Sequence, residues 1–206
     1  MLENKNIQEI ITHIHKNELQ VKEVVQYYLD KIKKLNPSLN AIILQKDEKK
    51  IINQAEEKDN LKDKSKPLFG LPIAIKDLSD VIGIPTTYGF PGSKNNFPKQ
   101  NSLFVDLLIN NGAIVIGKTN SAELGVGGHT INRLFGPTSN VYDLNKSAAG
   151  SSGGAASAVA AGLLPFADGT DQMGSCRGPA AYSNIYGFRP TPGLIASSRL
   201  SHNSKL

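Results

Sequence analysis

Residues 70–77, Gly-Leu-Pro-Ile-Ala-Ile-Lys-Asp, place a run of apolar side chains directly before a lysine. Such a short apolar run behind a glycine predicts a buried strand at residues 72–75. A lysine at the end of a buried strand loses hydration, and because burial disfavours the charged ammonium, its pKa falls. Lys76 is therefore a candidate base, and the segments around this strand decide how the chain folds about it.

Helical and strand patterns alternate on both sides of this segment. Before residue 67, apolar residues at helical spacing predict two helices, the second ending at Asn36-Pro37, then a strand at 41–44 and a helix at 47–57. The elements predicted after residue 67 are, in chain order, a strand at 72–75, a helix at 103–110, a strand at 113–116, a helical turn at 121–124, helices at 155–161 and 179–183, and a strand at 186–188. This alternation predicts an α/β fold with a mixed, largely parallel sheet flanked by helices.

Length and composition indicate a single globular domain. The chain has 206 residues, enough to bury a core, and no apolar run approaches the roughly 20 residues of a membrane helix. The polar N-terminus does not resemble a signal peptide. The single cysteine, Cys176, excludes an internal disulfide and fits a reducing compartment, so we expect a cytoplasmic protein. The net charge of +5 is spread along the chain, which argues against direct nucleic-acid binding.

Residues 112–119, Gly-Ala-Ile-Val-Ile-Gly-Lys-Thr, match the nucleotide-binding pattern G-x-x-x-x-G-K-[ST]. A P-loop needs its strand before the motif and flexible turns inside it. Here the predicted strand occupies the middle of the motif, and its β-branched residues cannot wrap a phosphate. We therefore predict a core strand that ends in Gly-Lys-Thr, and no nucleotide cofactor.

Gly150, Ser152 and Gly154 match the G-x-S-x-G pattern of a nucleophile elbow. An elbow requires a strand running into the serine and a histidine later in the chain. The preceding residues 143–147 are polar rather than strand-like, and the only later histidine is His202. The elbow is an alternative to the arrangement described next.

Two segments combine serine with small neighbours: residues 149–154, Ala-Gly-Ser-Ser-Gly-Gly, and residues 171–177, Asp-Gln-Met-Gly-Ser-Cys-Arg. Small residues beside a serine let a carbonyl substrate approach the backbone closely. With Lys76 as a candidate base, Ser151 and Ser175 indicate acyl transfer without histidine.

Four separated segments resemble the signature of the amidase signature family. They are residues 151–156 (Ser-Ser-Gly-Gly-Ala-Ala), residues 171–180 (Asp-x-x-Gly-Ser-x-Arg-x-Pro-Ala), residues 70–77, and residues 117–120 (Gly-Lys-Thr-Asn). The resemblance spans about residues 20–195, nearly the whole chain. It implies the amidase signature fold and a small-molecule amide substrate, and we expect neither a cofactor nor a metal.

The resemblance also implies a Ser–Ser–Lys triad. Ser175 would be the nucleophile, Ser151 would bridge from behind a cis peptide bond, and Lys76 would be the ultimate base. The backbone N–H groups of the oxyanion hole would come from Gln172, Met173, Gly174 and Ser175. The residues that support the triad and its loop would be Ser152, Asp171 and Arg177, although Asp171 and Arg177 also fit a plain surface ion pair.

Three features depart from the family pattern. Met173 stands where a glycine-type residue is usual, so its side chain either points away from the turn or narrows the pocket. Ala149 stands where glycine is more frequent. Family members continue far beyond residue 206, so we expect residues 1–66 to be an N-terminal helical segment and residues 67–206 the N-terminal part of an amidase signature domain, truncated at its C-terminus. Such a truncation would expose apolar surface and weaken stability.

Together these features predict an amide hydrolase that releases ammonia or an amine from a carboxamide. One alternative is the glutaminase (A) subunit of aspartyl/glutamyl-tRNA amidotransferase, which the Met173 departure disfavours. Another is an inactive truncated scaffold that keeps the loops without the reaction. The expected partner is a small-molecule amide, with no membrane contact, and self-association into a homo-oligomer stays open.

Overall fold

The computed structural model describes residues 2, 3 and 5–195. Over these residues the chain forms six α-helices and three β-strands. In chain order they are α1 (Ile7–His15), α2 (Val21–Leu39), β1 (Ile42–Gln45), α3 (Glu48–Asp59), β2 (Pro72–Lys76), α4 (Leu103–Asn110), β3 (Ile114–Thr119), α5 (Gly153–Ala160) and α6 (Arg177–Tyr182). Two short 3-10 turns, Pro91–Ser93 and Glu123–Gly125, lie in the connections.

The three strands form one sheet in the order β1-β3-β2. β1 pairs antiparallel with β3, whereas β2 pairs parallel with it, so the predicted mixed α/β architecture is confirmed. In the parallel pair Lys76 lies beside Thr119, which places both residues at the carboxyl ends of their strands. Polar groups that follow parallel strands meet at this edge of a sheet, where sites commonly form.

Two hydrophobic clusters cover the opposite faces of the sheet. Because successive strand residues point to opposite faces, Ala74 faces the larger cluster while Ile73 and Ile75 face the smaller one. The larger cluster contains the buried faces of α1, α2 and α3, and the smaller one contains Val105 of α4. β2 is therefore covered on both sides, and all five of its residues are buried.

The second helix continues past the proline that was expected to end it. α2 runs to Leu39 with Pro37 inside it and ends at Asn40, which adopts a left-handed φ of 51°. Near a helix end a proline removes only one intrahelical hydrogen bond. The Asn36 side chain also accepts the N–H of Ile42 at 2.8 Å, and thereby ties the helix end to β1. The prediction that Asn36-Pro37 terminates the helix is wrong for these reasons.

The strand predicted at residues 186–188 is also absent from the described part of the chain. The backbone of residues 186–188 forms no β-sheet hydrogen bonds with a described strand, and the side chains of Tyr186 and Phe188 are exposed. A strand needs a neighbour to pair its N–H and C=O groups, and no described strand lies beside this segment. The side chains of Tyr182 and Leu194 are exposed as well.

No helix within residues 2, 3 and 5–195 combines the length and the apolar character that a membrane span requires.

Candidate active site

The Lys76 side chain is fully buried at the end of β2. Its ammonium nitrogen donates to three hydroxyl oxygens: Ser151 Oγ at 2.8 Å, Ser152 Oγ at 2.7 Å and Thr170 Oγ1 at 2.7 Å. Its backbone N–H donates to Asp168 Oδ1 at 2.8 Å, so the strand end is fixed as well as the side chain. An ammonium group has three donors, and here all three are used.

The surroundings make Lys76 easier to deprotonate than an ordinary lysine. Burial lowers the pKa of its ammonium group to about 8, against the opposing attraction of Asp168, Cys176 and Asp171. All three hydrogen-bond partners of the ammonium group are neutral hydroxyls, and none is a carboxylate. A neutral amine is therefore accessible near physiological pH.

The segment that carries Ser151 and Ser152 is held close to its neighbours. The peptide bond between Gly150 and Ser151 is cis. A Cβ atom on Gly150 would lie 2.7 Å from the carbonyl carbon of His129, and one on Gly154 would lie 2.4 Å from the backbone nitrogen of Asn120. These approaches leave no room for a side chain, which accounts for the glycines around the two serines.

Ser175 lies in the loop before α6 and shares a cavity with Ser151. The cavity has a volume of about 410 Å³, and both serines line it. The Ser175 carbonyl oxygen accepts the N–H of Ser152 at 3.1 Å, which joins the two serine segments. No hydrogen bond links the Ser175 and Ser151 hydroxyls within the described residues. The structure thus brings Lys76 and Ser151 into contact and places Ser175 on the same cavity wall.

Asp171 organises the loop that carries Ser175. Its carboxylate accepts the N–H groups of Gly174 at 2.8 Å, Cys176 at 3.2 Å and Arg177 at 3.2 Å. The Arg177 guanidinium adds two bonds, at 2.9 Å and 3.0 Å. These contacts hold the pKa of Asp171 well below its usual range, and the hydrogen bonds from the Arg177 side chain have the largest effect. Because the Asp171 side chain is only 4% exposed, this pair is more than a surface ion pair.

The same contacts narrow the set of expected oxyanion donors. The Gly174 N–H is already committed to Asp171. Within the described residues the N–H groups of Gln172, Met173 and Ser175 have no protein acceptor. Of these three residues, Gln172 and Ser175 line the cavity and Met173 does not.

Met173 points away from the turn rather than into the pocket. Its side chain is 92% exposed, and it is absent from the cavity wall. The positive φ of the turn falls on Gly174, at 103°, so Met173 meets no backbone restriction. Ala149 differs, because it adopts a positive φ of 56° that favours glycine.

Lys118 confirms the prediction of a core strand in place of a P-loop. It lies inside β3, fully buried, with its ammonium nitrogen 3.6 Å from the equally buried Asp77 carboxylate. A Cβ atom on the neighbouring Gly117 would lie 2.3 Å from the Leu44 carbonyl oxygen. The motif is therefore closed by β1 and has no space for a phosphate.

Sequence reasoning missed two partners of Lys76, namely Thr170 and Asp168. They lie just before Asp171, and their only signal is that position next to a recognised motif. Within the part of the chain that the structure describes, no group of three or more His, Cys, Asp or Glu side chains is arranged to hold a metal ion.

Comparisons with known proteins extend these observations. A family model described as Amidase matches residues 23–205. An acylamidase of Rhodococcus erythropolis is 40% identical over 196 residues, which cover 94% of this chain and 41% of that protein. The A subunit of the glutamyl-tRNA(Gln) amidotransferase of Caldanaerobacter subterraneus subsp. tengcongensis is 36% identical over 191 residues, covering 92% of this chain and 39% of that protein.

A solved structure is similar over the same region. The peptide amidase PAM, in complex with the competitive inhibitor chymostatin, matches with a TM-score of 0.87 and 31% sequence identity. The match covers 94% of this chain and 42% of that one. The chain thus spans about two fifths of the length of each of these relatives.

Proposed function

The chain belongs to the amidase signature family of hydrolases, and from that premise we propose that it cleaves carboxamides through an acyl-enzyme on Ser175, with Ser151 and Lys76 as the proton relay. One observation carries the proposal. The buried Lys76 ammonium nitrogen lies 2.8 Å from Ser151 Oγ, and Ser151 shares its cavity with Ser175. A buried amine hydrogen-bonded to a serine that shares a cavity with a second serine suits nucleophilic catalysis without histidine.

In the first step, Ser175 Oγ attacks the carbonyl carbon of the amide. Its proton passes to Ser151 Oγ, while the Ser151 proton passes to the neutral amine of Lys76. The negative oxygen that forms on the substrate accepts hydrogen bonds from the free backbone N–H groups of Gln172 and Ser175. Each such donor contributes about 3 kcal/mol to transition-state stabilisation in acyl transfer.

In the second step, the carbon–nitrogen bond breaks and the proton returns from Lys76 through Ser151 to the leaving nitrogen. Ammonia or an amine departs, and an ester links the acyl group to Ser175. Water then attacks this ester and gives a proton to Lys76 through Ser151. The bond between the acyl carbon and Ser175 Oγ breaks, the relay returns the proton to Ser175 Oγ, and a carboxylic acid leaves. Ser152 and Thr170 position the Lys76 amine through hydrogen bonds, while Asp171 and Arg177 stabilise the loop that carries Ser175.

The test measures ammonia release from a panel of primary amides. The purified chain should release ammonia, and Ser175→Ala should abolish the release while its melting curve stays unchanged. Ser38→Ala, an exposed serine on α2, is the matched control and should retain full activity. Equal activity in Ser175→Ala and the parent chain would refute the role of Ser175.

A second candidate follows from the similarity to a component of an amidotransferase. Met173 does not line the cavity, so it no longer disfavours a glutaminase role. In that case ammonia would come from glutamine and would depend on added partner proteins and acylated tRNA. Hydrolysis of simple amides in the absence of partner proteins would favour the stand-alone amidase. An inactive scaffold would release ammonia from neither source. For all three the single cysteine, Cys176, supports placement in the cytoplasm.

A further inference from the structure

We propose that Asp80 and Ser102 form a recognition subsite for a protonated amine on the acyl part of the substrate. The preferred substrates would then be amides of amino-substituted carboxylic acids. The inference rests on the proposed function, because it assigns a substrate class to the same cavity.

Both residues belong to the wall that surrounds the two serines. Asp80 and Ser102 line the cavity of about 410 Å³ together with Ser151 and Ser175. The Ser102 backbone N–H donates to the Asp80 carbonyl oxygen at 3.1 Å, so the two residues are neighbours although they lie far apart in sequence. The two residues therefore lie next to each other in the cavity wall.

One oxygen of each side chain lacks a hydrogen-bond partner among the described residues. Asp80 Oδ1 and Ser102 Oγ are both enclosed, and within the described residues neither makes a hydrogen bond. Ser102 is the N-cap residue of α4, yet its hydroxyl does not cap the helix. Buried polar atoms are nearly always paired, so an unpaired carboxylate oxygen and an unpaired hydroxyl in two residues of the cavity wall indicate a missing donor.

The buried Lys118 does not supply that donor. Asp80 helps to raise the pKa of Lys118, but burial outweighs it and lowers that pKa overall. The Lys118 ammonium nitrogen donates to Thr86 Oγ1 at 3.2 Å and to the Ser79 carbonyl oxygen, and its ion pair is with Asp77. No ion pair of the described residues includes Asp80. The Asp80 carboxylate can therefore pair with a cationic ligand.

The rest of the cavity suits an acyl chain that carries the cation. Leu78, Phe104, Leu124 and Val126 contribute apolar side chains to the same wall. Such a surface packs against methylene groups, with the charged end paired at Asp80 and the carboxamide at the serines. An anionic acyl group would instead be repelled by the Asp80 carboxylate.

The experiment measures binding to the Ser175→Ala chain by titration calorimetry, so turnover does not interfere. The cationic probes are glycinamide, β-alaninamide and γ-aminobutanamide, which cover different distances between amine and amide. The neutral probes are propanamide, butanamide and pentanamide, which replace each ammonium with a methyl group. Succinamate carries the opposite charge.

We expect one of the three amines to bind at least about tenfold tighter than its neutral counterpart, as a charge-assisted hydrogen bond provides. Asp80→Asn keeps the shape of the side chain and removes its charge, so the dissociation constants of that amine and its neutral counterpart should then differ by less than about twofold. Ser102→Ala, which removes only the hydroxyl, should reduce the preference less. Should Asp80→Asn not fold, a measurable reduction of the preference in Ser102→Ala serves as the test, and an unchanged preference there would overturn the inference. Equal binding of all pairs, tighter binding of succinamate, or a preference that survives Asp80→Asn would overturn the inference.

The outcomes also separate this inference from the proposed function. An amine preference in a chain whose Ser175 is never acylated would refute the acyl-enzyme proposal and keep the subsite. Acylation of Ser175 without an amine preference would refute the subsite and keep the acyl-enzyme.

Discussion

The Lys76 ammonium nitrogen lies 2.8 Å from Ser151 Oγ, and neither side chain is open to solvent. This contact joins the end of β2 to a loop 75 residues later in the chain. In the proposed mechanism it is the step at which the proton leaves the hydroxyls, so the protonation state of Lys76 controls the rate.

Activity should therefore rise with pH. Burial lowers the pKa of Lys76 to about 8, and only the neutral amine accepts a proton, so kcat/KM should increase through about pH 8 to a plateau. A profile of amide hydrolysis from about pH 6 to pH 10 measures this. A rate that falls over this range, or a single inflection near the ordinary histidine pKa of about 6.5, would contradict the role of Lys76.

Removing one hydrogen-bond acceptor of the Lys76 ammonium group should shift the pH profile of kcat/KM. Thr170 Oγ1 accepts a hydrogen bond from the Lys76 ammonium at 2.7 Å, which stabilises the charged form. Thr170→Val keeps the shape but loses the acceptor, so the pKa of Lys76 and the rising limb should shift to lower pH by up to about 1 unit. A shift to higher pH would show that Thr170 does not stabilise the ammonium form. Thr191→Val, a threonine outside this hydrogen-bond group, is the control.

Loss of the Asp171 charge should disorder the nucleophile loop without unfolding the protein. Asp171→Asn keeps a side chain of the same size but weakens the bonds to Gly174, Cys176 and Arg177. Hydrogen bonds to charged groups contribute about 1.5–3 kcal/mol, so acylation should slow by about 10- to 100-fold. Stopped-flow acylation rates measure this. Glu48→Gln, which removes an exposed ion pair with Lys33, should change the rate by less than about twofold.

A glycine at position 149 should stabilise the chain. Ala149 adopts a φ of 56°, which costs an L-residue about 1–2 kcal/mol and glycine almost nothing. After the entropic cost of glycine, Ala149→Gly should raise the free energy of unfolding by about 0.5–1 kcal/mol. Ala148→Gly, at a buried neighbour outside the positive-φ region, should lower it instead. Denaturant unfolding of both variants gives the comparison, and a destabilised Ala149→Gly would contradict the strain at this position.

The sequence predicts those parts of the site that depend on local pattern. Lys76 closes an apolar run, and Ser151 and Ser175 lie among small residues, so each can be recognised within a short stretch of chain. β2 and α4 were predicted close to their observed bounds for the same reason, because strong periodicity is local.

The remaining features depend on tertiary contacts. Thr170 meets Lys76 only because the chain returns to the end of β2 after 94 residues, and no local pattern marks that return. Pro37 remains inside α2 because Asn36 ties the helix end to Ile42, a contact that helix propensity does not contain. The strand expected at 186–188 lacks a described neighbour, and pairing rather than composition decides whether a strand forms.

The rate and site of covalent labelling test the relay most directly. A fluorophosphonate forms a bond from Ser175 Oγ to phosphorus and expels fluoride, and peptide mass spectrometry locates the adduct. We predict a single adduct on Ser175, absent in Ser175→Ala, and labelling at least about 1,000-fold slower in Lys76→Met and in Ser151→Ala, as for loss of a general base. Labelling of another residue, or full-rate labelling of Ser175 in folded Lys76→Met, would contradict the account.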